Sequence, residues 1–129
     1  MLRVRWLAYA PAALWTAFVL WLGSRTWDGV VVDWDWQPND KLLHFWMYGT
    51  LGLLLRLGWQ SAGRKPAPAL LVLAGVLVGL YDELHQRTVP GRSADYRDFI
   101  VDVVAVAFGF ILITLIHRLF RRTQTPGSS

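Results

Sequence analysis

Residues 81–102, YDELHQRTVPGRSADYRDFIVD, decide the fold, because they set acids, a histidine, a glutamine and arginines between two long apolar runs. The run before them, 69–80, and the run after them, 103–120, are too apolar to face water along their length. The polar stretch therefore belongs at a membrane surface, joining two spans. Asp82, Glu83, His85 and Gln86 continue the helix of the preceding apolar run, so part of this set reaches below the surface into low dielectric. An ionisable group there costs at least about 2.5 kcal/mol on insertion scales, and such groups are functional candidates by default.

Composition agrees with a membrane chain. Of 129 residues 54% are hydrophobic and eight are tryptophan, which excludes an ordinary soluble domain. The absence of cysteine excludes disulfide and thiolate chemistry. The net charge is +4, but the basic residues flank apolar segments and form no stripe or recognition motif, so no nucleic-acid partner is expected.

Outward from the polar stretch, three more features complete the topology. Arg3 and Arg5 precede an apolar run at 7–22, which is long for the core of a signal peptide and lacks a small-x-small cleavage site, so it reads as a retained first span. Pro11 is tolerated in its first turns or as a kink. Residues 24–39 carry Trp27, Trp34 and Trp36 among acids, the pattern of an interfacial belt of membrane-anchoring rings rather than a ligand-stacking platform. The segment SAGRKPAP at 61–68 is a basic connector. These features predict an all-α membrane protein: one domain over 1–122, a four-transmembrane-helix bundle with spans at about 7–23, 41–59, 69–86 and 98–119, and a disordered tail at 123–129.

Alternating sides places Arg3, Arg5, Arg56, Arg64, Lys65, Arg118, Arg121 and Arg122 on one side and Arg25, Lys41, Arg87, Arg92 and Arg97 on the other. The positive-inside rule then sets both termini in the cytoplasm. Every Asp and Glu falls on the outer half. Acids do not set orientation, so this segregation points to a polar site opening away from the cytoplasm.

In the second span, Asp40 or Asn39 is a plausible N-cap, and Asp40, Lys41, His44 and Tyr48 share one face. At 1.5 Å per residue Tyr48 lies about 10 Å along the axis from Lys41. In the third span Glu83 is about 21 Å along a hydrocarbon core about 30 Å thick. Glu83 and Gln86 share a face that Gly79 and Leu80 continue inward, while Asp82 points about 100° away with His85. Asp98 and Asp102 stack one turn apart on the fourth span. Three readings are open: a network that only locks the helices, a binding or catalytic pocket, and a metal site using His44, Glu83, Asp98 and Asp102. No HExxH or similar spacing supports a metal site, and none is assigned. His117, among arginines at the other end, reads as an interfacial side chain.

DKLLHFWMYGTLG at 40–52 and ELHQRTVPGRSADYRD at 83–98 resemble the VanZ-like family of small bacterial membrane proteins. That family's pattern joins an Asp-Lys-x-x-His-x-x-x-Tyr opening to a later Glu-x-x-Gln, a Pro-Gly-Arg and an Asp. The resemblance covers 40 to about 109 and carries over Asp40, Lys41, His44, Tyr48, Glu83, Gln86, Pro90, Gly91, Arg92 and Asp98. It departs at Asp102, where the family usually has Asn. It implies a bacterial cytoplasmic (inner) membrane protein. The founding member is linked to low-level resistance to teicoplanin, which binds cell-wall precursors outside the cell. It lends no settled activity, and the sequence does not decide whether this chain is an enzyme.

The expected function is binding or modification of an anionic envelope molecule, such as a lipid-linked cell-wall precursor or lipopeptide. Glu83 and His44 would form the acid/base pair, with Asp40, Lys41, Tyr48, Gln86, Arg92, Asp98 and Asp102 around the ligand and Arg92 as its anion clamp. The alternative is a non-enzymatic scaffold whose polar cluster only stabilises the bundle. A proton-coupled transporter ranks last, because the inner halves of the spans offer little beyond Arg56 and Thr114. Membrane lipids are the other expected partners, and no cofactor is expected.

Overall fold

The structure is a computed structural model that describes residues 5–25, 38–63, 65–90 and 94–124, without the side chains of 38–40. Most of the tryptophan-rich segment 24–39, Arg92 and most of the tail at 123–129 lie outside the described residues. A 3-10 turn at Trp6–Tyr9 leads into α1 (Ala10–Gly23), followed by α2 (Pro38–Ser61), α3 (Pro68–Gln86) and α4 (Tyr96–Thr123). No strand occurs among the described residues.

Local chemistry sets the helix ends. Pro11 falls in the first turn of α1 and Pro68 opens α3, positions where a missing N–H costs nothing. Ala67, ahead of Pro68, has φ -59° and ψ 133°, the extended conformation that a following proline favours, so the chain breaks between α2 and α3. Asp95 caps α4: its side chain accepts from the Arg97 N–H, and the helix begins at Tyr96, ahead of Asp98. Arg121 and Arg122 occupy the last turn of α4, where cations meet the negative end of the dipole.

The α2–α4 pair is the spine. The two helices run parallel: Lys41 meets Asp98 at their N-terminal ends, while Arg56 meets Thr114 and Gln60 meets His117 at the other. The seam is close because a Cβ on Gly52 would collide with the Val106 carbonyl, and one on Gly109 with the Gly49 carbonyl. Small residues let backbones approach this way where no hydrophobic effect drives helices together. On one side α3 runs antiparallel, with Gly75 against Val106 and Gly79 against Asp102. On the other, α1 is tied by Trp15 Nε1 donating to the Met47 carbonyl at 2.8 Å.

The core joins Ala12, Val19, Tyr48, Leu51, Leu55, Ala105, Val106 and Phe110. Outside, Leu14, Leu70, Leu77, Val104, Ile111 and Leu115 are exposed while Asp82, Glu83, Asp98 and Asp102 are buried. An apolar exterior over a polar interior suits lipid as the solvent. Three segments, Trp6–Gly23, Pro68–Gln86 and Tyr96–Thr123, are long and apolar enough to cross a membrane.

Candidate functional site

At the end of the bundle where α2 and α4 begin and α3 finishes, the polar side chains form a ladder. Lys41, His44 and Tyr48, spaced i, i+3 and i+7, descend one face of α2 and supply its rungs. In the outer rung Lys41 Nζ lies 2.6 Å from Asp98 Oδ1 and 3.4 Å from Asp95 Oδ2. Asp95 sits outside the helices; the Arg97 amide that donates to it, with Lys41 nearby, holds its carboxyl below the usual carboxylate range. In the middle rung His44 Nδ1 lies 2.9 Å from Asp102 Oδ1, both buried. In the inner rung the Tyr48 hydroxyl donates to Asp82 Oδ2 at 2.9 Å. The positive dipole ends of α2 and α4 face this acidic region.

Two expectations about these residues meet a different geometry. His44 does not bond to Glu83; its Nδ1 takes Asp102, because the close α2–α4 seam puts that carboxylate directly across from it. Glu83, on α3, is near enough to feel the charges of His44 and Asp98. Asp82 does not point away from the interior: it is 1% exposed, and Glu83 and Gln86 are buried beside it. The contact face of α3 is centred on Gly75 and Gly79, and Asp82 and Glu83 lie three and four residues beyond Gly79, one on each side of that seam. Asp82 also faces α1, where a Cβ on Gly23 would collide with its carboxylate. The sequence signal for Asp82 was Gly75-x-x-x-Gly79, the close-packing spacing that marks the inward side of a span.

Of the other expected site residues, Gln86 is buried. Asp40 occupies the first turn of α2, with its side chain outside the described residues, and Arg92 lies outside them entirely. Gln60 Nε2 meets His117 Nδ1 at 2.6 Å, so His117 joins the α2–α4 contact at the opposite end. Among the described residues no group of three or more His, Cys, Asp or Glu is arranged to hold a metal ion.

What remains is an imbalance. Four acids, Asp82, Glu83, Asp98 and Asp102, are buried against Lys41 and His44. Asp82 Oδ1, Asp102 Oδ2 and both Glu83 oxygens are buried without a hydrogen-bond partner, and the Asp95 amide is near enough to act on the Glu83 carboxyl. Unmet buried acceptors cost about 1–3 kcal/mol each. The arrangement can therefore take up protons, or the donors of a bound molecule.

No curated protein and no solved structure matches the chain. The family model described as VanZ/LLP1 matches residues 6–117, which take in all four helices except the last residues of α4. The chain belongs to the VanZ/LLP1 family.

Proposed function

We propose that this chain is a multi-pass protein of the bacterial cytoplasmic membrane, a single domain over 1–122 with four spans and both termini in the cytoplasm. Its carboxylate ladder faces the cell exterior and binds or modifies a lipid-linked cell-wall precursor or lipopeptide. The observation that carries the reading is Glu83: a 4% exposed carboxyl with neither oxygen bonded, inside a ladder whose other acids each have a partner. Glu83 anchors hydroxyl or amine donors of the ligand, or exchanges a proton with it, and Arg92 takes its phosphate or carboxylate. His44, held by Asp102 at 2.9 Å, is near enough to act on Glu83 whenever it carries a proton. As implied by family membership, the physiological setting is the envelope, with glycopeptide resistance of the teicoplanin type as the phenotype to examine.

A scaffold reading is favoured by a different observation: every rung joins two helices, α2 to α4 or α2 to α3. Glu83→Gln separates the two. It keeps the shape and one acceptor but removes the acid. Under the proposal the variant inserts and unfolds like the parent yet retains less lipid-linked precursor on purification and leaves its host more sensitive to teicoplanin. A variant that is degraded or melts early, with ligand retention unchanged in the surviving protein, supports the scaffold.

A further inference from the structure

A cavity of about 480 Å³ lies between the 3-10 turn, α1, α2 and α3, at the end of the bundle opposite the acids, within the range of about 300–1,000 Å³ for ligand sites. Its walls are apolar, including Leu51, Leu55, Leu71, Ala74 and Val78, and none of the ladder acids touches it. Tyr9, Thr16 and Lys65 are polar exceptions among the lining residues. Lys65 lines it, with its ammonium 4.5 Å from the centre of the Trp59 ring. Tyr9 also lines it, and the Tyr9 hydroxyl is buried with no hydrogen-bond partner.

The surroundings are one-sidedly positive. The Arg56 guanidinium lies over the same Trp59 ring at 4.6 Å; Arg56 is 7% exposed, donates from Nε to Thr114 Oγ1 at 2.8 Å, and its Nη1 has no partner. Arg118 and Arg121 are close enough to act on it. No acid occurs in the sequence before Asp28, from Leu42 to Tyr81 or after Asp102, so no acidic side chain at this end pairs with the guanidinium. A buried charge left uncompensated is costly.

We infer that this cavity is a binding site for an anionic glycerophospholipid. One acyl chain lies along Leu51, Leu55, Leu71, Ala74 and Val78, an ester carbonyl accepts from the Tyr9 hydroxyl, and the phosphate sits at Lys65 in the field of Arg56. The apolar walls select a tail, the unpaired hydroxyl an acceptor just above it, and the basic rim a negative headgroup. The site is independent of the reading given to the carboxylate ladder.

The test is native mass spectrometry of the full chain from mixed micelles holding phosphatidylglycerol and phosphatidylcholine with matched acyl chains. The expected result is preferential retention of one phosphatidylglycerol. Lys65→Gln should lower the preference about fivefold, the factor for one basic residue at an anionic surface. Tyr9→Phe should weaken retention of both lipids, and Ala74→Trp, which fills the cavity from an exposed position on α3, should abolish it. Ala13→Trp, on the opposite wall, gives the same test if Ala74→Trp fails to fold. Equal retention of the two lipids by the parent chain, or unchanged phosphatidylglycerol retention in a cavity-filled variant that unfolds normally, overturns the inference.

Discussion

The middle rung of the ladder makes a quantitative prediction through His44→Ala. His44 Nδ1 serves Asp102 Oδ1 at 2.9 Å, and Asp102 Oδ2 already lacks a partner, so the substitution strips the carboxylate of this bond in a buried site. Removing one partner of a buried pair costs about 3–5 kcal/mol. The same substitution made together with Asp102→Asn leaves a neutral amide, whose unmet bond costs about 1–3 kcal/mol. The cycle therefore carries a coupling of about 2 kcal/mol, well above the roughly 0.6 kcal/mol typical of hydrogen bonds between membrane helices. Asp102→Asn alone should be neutral or stabilising, since it removes a buried negative charge and keeps an acceptor for His44. The assay is reversible unfolding by sodium dodecyl sulfate in mixed micelles, followed by tryptophan fluorescence. Equal losses from His44→Ala in both backgrounds, within about 0.5 kcal/mol, would show that no charge-dependent pair exists.

Three further outcomes follow from other contacts. Tyr48→Phe removes the donor to Asp82 and should cost about 1.5–3 kcal/mol in the same unfolding assay. Gly109→Ala drives a Cβ into the Gly49 carbonyl and should cost about 1–3 kcal/mol, while Gly49→Ala, whose nearest neighbour is the Ala105 carbonyl at 3.8 Å, should be tolerated. The cap at Asp95 should respond to pH: a carboxyl held below its ordinary 3.8 stabilises the folded state above that value and loses the effect as pH falls through its lowered range. Protection of the Arg97 amide, corrected for intrinsic exchange, should therefore drop between pH 6 and pH 2 on the order of the carboxylate titration, and Asp95→Asn should flatten the response.

Much of the helical layout was legible because lipid leaves few alternatives: apolar runs long enough to cross it as one segment, bounded by SAGRKPAP and VPGRS, satisfy their own backbone polar groups as helices. The face of α2 was legible too, since Lys41, His44 and Tyr48 have helical spacing whatever they pack against. Partner choice was not. His44 meets Asp102 because Gly52 and Gly109 bring α2 and α4 together in parallel, and that pairing belongs to the whole bundle, not to any one segment. The spacing of Glu83 and Gln86 alone turns Asp82 away from the bundle; the Gly75 and Gly79 pair places the seam between Asp82 and Glu83. Arg56 and His117 gave no sequence signal of their bonds to Thr114 and Gln60, since neither pair shares a helix.

The central claim is that the acidic ladder meets the outside of the cell, and topology tests it most directly. The chain has no cysteine, so single thiols can be placed at exposed positions at either end: Thr88→Cys beside the ladder and Ser61→Cys at the far end of α2. A membrane-impermeant maleimide added to intact cells should label the Thr88→Cys protein and reach the Ser61→Cys protein only after permeabilisation. The reverse pattern would put the ladder in the cytoplasm and contradict its role in the envelope.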